Sequence, residues 1–200
     1  CNVNDFKTFA DIKTLNNADE STLEIRADNQ SQTEEQFIAK GNAEAERIND
    51  FLKADTISYN TNAKNLKASG NTKYFNQDIT IYSNSATYKN SLDEINFSKA
   101  KYYKTDKSGS GNAEEIFIKK NKDIILEKGS YTACSLNDPD WELTSTTTEL
   151  YSDIDRGHAY NMVLKYKNIP VFYTPFMSFP LSDKRQSGLL TPSFGSAGNG

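Results

Sequence analysis

The chain has 200 residues, 36% of them hydrophobic, with 11 Tyr, 11 Phe and a formal net charge of −4. That length suffices for one sizeable β domain plus a tail, and the aromatic content is too high for a disordered chain. An acidic balance without a basic stripe excludes nucleic acid as a partner. No apolar run approaches the roughly 18–20 residues of a membrane helix, which leaves β spanning open.

The chain begins at Cys1 with no methionine, basic region or apolar leader, which points to a removed leader or a mature terminus. Residues 1–22 are expected to form an N-terminal extension, 23–180 the folded domain and 181–200 a linker and a further strand. From about Phe37, single apolar residues alternate with Ser, Thr, Asn, Lys and Tyr. This is the pattern of strands that bury one face. Only "AEAERINDFL" (Ala43 to Leu52) offers a helical reading, and its flanks favour strand or turn. In "DITIYSNSATYKN", Ile79 and Ile81 fall on one face, with Thr80 and Tyr82 opposite. The segments "NTNAKN", "KNSLDE", "KTDKSGSGNAEE" and "LNDPD" read as turns. Within the third, "SGSGN" (Ser108–Asn112) reads as a flexible loop that does not match a phosphate-cradling motif.

An internal repeat underlies the alternation. Shifting Phe37–Asn65 by 29 residues places Ala39 on Ala68, Gly41-Asn42 on Gly70-Asn71 and Tyr59 on Tyr88, and a third start follows at Ile95 before the sequences diverge. Hairpin-scale units that each expose one apolar face must stack to cover it. In register, Phe37, Leu66 and Ile95 become equivalent, as do Ala39, Ala68 and Phe97. With Ile57, Ile79, Ile81, Ile116, Ile118 and Leu126 they would line the inside. The set is thin for so long a chain, so the inner faces either leave a groove for an apolar ligand or close as a thin core.

Catalytic and metal chemistry find no support in the sequence. His158, the only histidine, sits in "DIDRGHAYN", read as a solvated turn near Asp153 and Asp155, and no GxSxG elbow accompanies it. There is no CxxC, HExxH or DxDxDG pattern. No cofactor is expected, and a carbohydrate-active jellyroll enzyme lacks its acid/base pair. The two cysteines, Cys1 and Cys134, allow free thiols, a lipid-modified Cys1 or one intrachain disulfide.

The last third differs in character. Four of the five prolines and a dense aromatic cluster fall in "NIPVFYTPFMSFPLSDKRQSGLLTPSFG" (Asn168–Gly195). Between Gly129 and Gly195 stand Tyr131-Thr132-x-Cys134, Asp140-Trp141-x-Leu143, Ile169-Pro170-Val171-Phe172-Tyr173-x-Pro175, Phe179-Pro180 and Arg185-Gln186-Ser187-Gly188-Leu189-Leu190-x-Pro192. In order and spacing this stretch resembles the lipopolysaccharide-assembly outer-membrane protein family, LptD, also called OstA or Imp. The upstream repeats resemble OstA-type β-jellyroll units.

The resemblance implies an all-β fold: a periplasmic OstA-type jellyroll of repeated strand pairs, ending at the start of an outer-membrane β-barrel. It implies a non-enzymatic carrier that receives lipopolysaccharide from an LptA-like bridge, shelters its acyl chains in the groove and passes it to the barrel. The bridge would join by strand addition at about Leu23–Ala39. An LptE-like plug lipoprotein would meet the barrel, which is not part of these residues. Cys1 and Cys134 would pair with barrel cysteines in an oxidising periplasm. Asn168–Pro180 would be the last jellyroll strand and hinge, its prolines capping the pairing. Lys184 and Arg185 would meet lipid head groups or serve as a charged turn. Pro192, in the first barrel strand, would weaken the seam with the last strand. A soluble periplasmic scaffold that joins partners through sheet edges without carrying lipid is the alternative.

Overall fold

A computed structural model describes residues 23–47, 50–105 and 109–181. Among them run twelve strands: β1 (Glu24–Arg26), β2 (Asn29–Gln32), β3 (Gln36–Arg47), β4 (Asp50–Asn60), β5 (Asn65–Phe75), β6 (Ile79–Lys89), β7 (Glu94–Lys104), β8 (Ser110–Lys119), β9 (Ile124–Tyr131), β10 (Trp141–Tyr151), β11 (Arg156–Tyr166) and β12 (Ile169–Pro180). They form one antiparallel sheet in which, from β3 onward, each strand pairs with its sequence neighbours. Both β1 and β2 pair with β3, so together they make one interrupted edge strand. The fold is all-β and jellyroll-like. Ala43–Leu52 is strand on either side of residues 48–49, not helix.

The repeat is visible in the backbone, and it extends further than in the side chains. Gly41, Gly70, Lys99 and Lys128 all take positive φ and stand 29 residues apart, on β3, β5, β7 and β9. The last turn residues Lys64, Asp93 and Lys122 repeat with the same period and the same sign of φ. In the first two units Gly-Asn is a β-bulge that shifts the register by one residue. Asn42 Nδ2 donates to Asp28 Oδ2 at 3.0 Å, and Asn71 Nδ2 donates to Asp55 Oδ2 at 2.9 Å. A Cβ on Gly70, whose φ is +75°, would lie 2.3 Å from that Asp55 oxygen, so the position needs glycine twice over. The Ala-x-Gly-Asn signature is therefore a bend clasped by an acidic neighbour.

Register stacks the apolar residues into rows that cross the strands. Phe37, Tyr59, Leu66, Tyr88, Ile95, Ile118, Ile124 and Leu150 face one another in turn from β3 to β10. Ala39, Ile57, Ala68, Ala86, Phe97, Ile116 and Leu126 form a second row from β3 to β9. Beyond the bends, Ala45, Leu52, Tyr74, Ile81 and Tyr102 form a third. All three rows belong to one apolar cluster. The sheet buries this face against itself by curling at the bends. The Tyr74 and Phe97 rings, from the third and second rows, meet at 5.1 Å between centroids.

Two expectations need correction. Ser110–Asn112 is the start of β8, paired with Lys101–Tyr103, and not a flexible loop; Ser108 lies outside the described residues. The glycine there serves close packing, since Gly111 lies against the Ser130 carbonyl. His158 is in β11 opposite Glu149, not in a turn, with its ring near Tyr151 and Phe176 at 5.4 and 5.5 Å.

Candidate functional site

All twelve residues expected to line the inside meet in the apolar cluster, Ala39 and Ala68 among its buried members. Ile57, Leu66, Ile79, Ile81, Phe97, Ile116 and Leu126 are buried, whereas Phe37, Ile95 and Ile118 are partly exposed and packed against them. Those three belong to the first row, together with the half-buried Tyr59, Tyr88, Ile124 and Leu150. The second row is closed and the first forms its accessible rim. With neighbouring strands about 4.8 Å apart, eight strands give the rim a length of about 34 Å. Small residues at Ala39, Ala68 and Ala86 keep the second row thin between its larger members Ile57, Phe97 and Ile116. An apolar chain laid along the rim would gain about 25 cal/mol for each Å² removed from water. To pass deeper it would have to part contacts that the protein already makes with itself.

The ends of this surface are polar and anchored. The Tyr74 hydroxyl donates to Asp50 Oδ1 at 2.6 Å and accepts from Asn76 Nδ2 at 3.0 Å. The Tyr102 hydroxyl donates to the Ser130 carbonyl at 2.8 Å. Burial, then the neighbouring Asp50 charge and hydrogen bond, holds the Tyr74 proton well above the ordinary tyrosine range. Burial, then Tyr131, does the same for Tyr102. Unfolded tyrosines release their protons at about pH 10. Above that pH the unfolded chain binds fewer protons than the folded one, so stability is full below pH 10 and falls as pH rises. The expected slope is about 1.4 kcal/mol per pH unit for each of the two tyrosines. Urea midpoints measured from pH 9 to 11.5 check this, and Tyr102→Phe should remove about half of the slope.

The remaining predicted positions fall in different places. Cys134 is 1% exposed, and its N–H donates to Thr132 Oγ1, which itself donates to the Trp141 carbonyl. The Tyr131-Thr132-x-Cys134 and Trp141 motifs are thus one packed corner. Cys134 is disulfide-bonded and not a free thiol. The barrel cysteines that the resemblance implies as partners are not part of this sequence, and Cys1 lies outside the described residues. Lys184, Arg185 and Pro192 lie outside them as well. The edge placed at Leu23–Ala39 narrows to β1 and β2, because Ala39 on β3 is already paired on both sides. Pro170 is the second residue of β12 and Pro180 its last, whereas Pro175 lies inside it; β12 is at the edge of the described sheet, where proline is tolerated. Its Ile169, Val171, Phe172, Tyr173 and Phe176 are exposed. Among the described residues no group of acidic, His and Cys side chains is arranged to hold a metal. No helix among them is long and apolar enough to cross a membrane.

No family model matches the chain. Curated relatives do. LPS-assembly protein LptD of Paraburkholderia xenovorans (strain LB400) is 34% identical over 170 residues, covering 84% of this chain and 22% of that protein. LPS-assembly protein LptD of Ralstonia nicotianae is 34% identical over 164 residues, 82% of this chain and 20% of that protein. LptD of Xanthomonas campestris pv. campestris is 29% identical over 189 residues, 94% of this chain and 23% of that protein. The chain thus spans about a fifth of the length of these relatives. Among solved structures, LptH of Pseudomonas aeruginosa, described as an LptA-homologous periplasmic component of lipopolysaccharide transport, is 13% identical. It superposes with a TM-score of 0.43 over 49% of this chain and 76% of that one.

Proposed function

We infer that this chain, homologous along 84% of its length to part of the LPS-assembly protein LptD, is the periplasmic jellyroll portion of such a protein and carries lipopolysaccharide toward the outer membrane. The reading rests chiefly on the first apolar row. It crosses eight strands without a charged residue, is partly open to solvent, and lies over a closed second row. A surface of that form takes acyl chains lengthwise and needs no catalytic group. Hand-over between proteins then requires only that similar rows be joined end to end. Among the described residues no strand pairs with the outer side of β1 and β2, which offers a strand-addition edge for an LptA-like bridge. β12 would lead toward a barrel with its LptE-like plug, and its exposed aromatics suit an interfacial depth.

Site-specific photocross-linking tests the carrier reading. A photoreactive residue at Ile95 or Ile118, in the rim, is expected to capture lipopolysaccharide saturably. The same residue at Lys119 or Lys89, in the polar hairpin ends, is expected to capture little. Equal capture at all four positions, or none at the rim, would overturn it. The scaffold alternative, which rests on the same open edge at β1 and β2, predicts partner capture at Gln30 with no lipid at Ile95.

A further inference from the structure

A depression of about 450 Å³ lies over β3 to β7, its lysines on the face opposite the apolar cluster. Lys53, Lys73, Tyr82 and Lys101 line it as direct cross-strand neighbours, alternating along their strands with the inward Leu52, Tyr74, Ile81 and Tyr102. Lys99 adds a fourth ammonium, and Asn71 and Asn84 add side-chain amides. This gathering of cations is unusual in a chain of net charge −4.

The arrangement works against the fold's own stability. Lys53 and Lys73 are directly opposed, and like charges in that position repel. Burial, and next the Lys53 charge, keeps Lys73 below the ordinary lysine range. Lys53 is paired with Glu44 at 2.9 Å, and the Asp55 carboxylate is taken by Asn71. Among the described residues neither Lys99 nor Lys101 has an ion-pair partner. Lys99 also holds a left-handed conformation, φ 50°, at the position where the first two units use Gly41 and Gly70. A β-carbon at that φ costs stability that glycine would avoid. The equivalent lysine of the next unit, Lys128, is bonded to Glu114.

We propose that this depression is a binding site for a phosphate-bearing group, held by Lys73, Lys99 and Lys101 with amide donors from Asn71 and Asn84. Converging ammonium groups suit a ligand carrying more than one negative charge, and the amides can donate to its remaining oxygens. A diphosphate or a phosphomonoester meets both conditions better than a single carboxylate does. The site stands on the face away from the apolar rim, so it is independent of the lipid-carrier reading.

The test titrates the intact chain at low salt with inorganic pyrophosphate and, separately, with dioctanoyl phosphatidic acid below its micelle concentration. Amide NMR shifts are followed at Asn71, Asn84 and Lys99. Saturable shifts confined to this depression are expected, weakening as salt screens the ammonium groups. The Lys99→Gly/Lys101→Gln double variant is expected to bind about tenfold more weakly. Because Lys99→Gly removes a strained side chain, its thermal midpoint should equal or exceed that of the parent, which separates lost binding from lost folding. Tighter binding of phosphatidic acid assigns the site to lipid head groups, and tighter binding of pyrophosphate assigns it to a free anion. No saturation with either probe, or undiminished binding by the double variant, overturns the proposal. Cross-linking at Ile95 reads the carrier function separately, and the lysine variants should leave it unchanged.

Discussion

Phe97→Ala is expected to lower the stability of the chain by about 3–5 kcal/mol. Among the described residues Phe97 is the largest side chain with no exposure; it sits mid-way along the second row and touches Tyr74 across the bend. Of its flanking row neighbours, Ala86 is too small to refill the space and Ile116 is itself held fully buried in the row. The cavity would open where the two arms of the curled sheet meet, which is why the high end of the usual range is expected. Urea denaturation followed by far-ultraviolet circular dichroism gives the number. A loss below about 1 kcal/mol would mean that the arms are not packed against each other there.

The second large effect is expected at Gly111. A β-carbon there would lie 1.8 Å from the Ser130 carbonyl oxygen and 2.7 Å from the Tyr102 hydroxyl. The same carbonyl accepts the Tyr102 hydrogen bond. Unlike a flexible side chain, a strand backbone cannot yield without breaking its pairing, so Gly111→Ala should cost about 3 kcal/mol or more. Removing the hydroxyl with Tyr102→Phe should not rescue it, because the obstacle is backbone. Thermal midpoints of the two single variants and the double check both statements. Full rescue in the double variant would place the conflict at the hydroxyl instead.

The strand pattern was legible because alternation reports burial directly, and the first two units were legible because their bends use Gly-Asn. The third and fourth units were not. The fold repeats a backbone conformation, and Lys99 and Lys128 satisfy it with different side chains, so comparison of letters lost a period that φ retains. Ser110–Asn112 misled for the reverse reason. Glycine and serine usually mark a flexible connection, but here they allow close contact between β8 and β9. The twelve inner residues could be found from sequence because they lie on the alternating faces. Their division into a closed row and an open rim could not, since it depends on how the sheet curls at its bends. The lysine depression was equally hidden, because Lys53, Lys73 and Lys101 become neighbours only through register.

The meandering order of strands has a consequence for evolution. Each 29-residue unit contributes one strand pair, contacts its two neighbours and begins and ends in the same turn geometry. A whole unit can therefore be excised or duplicated without changing the partners of any strand that remains. Removing residues 66–94 would bring Ile95 into the place of Leu66 and Phe97 into the place of Ala68, with both rows unbroken. The molecule's reach then changes in fixed increments of two strands, about 10 Å each. Copy number, and not the redesign of any site, becomes the variable that sets how long such a sheet is.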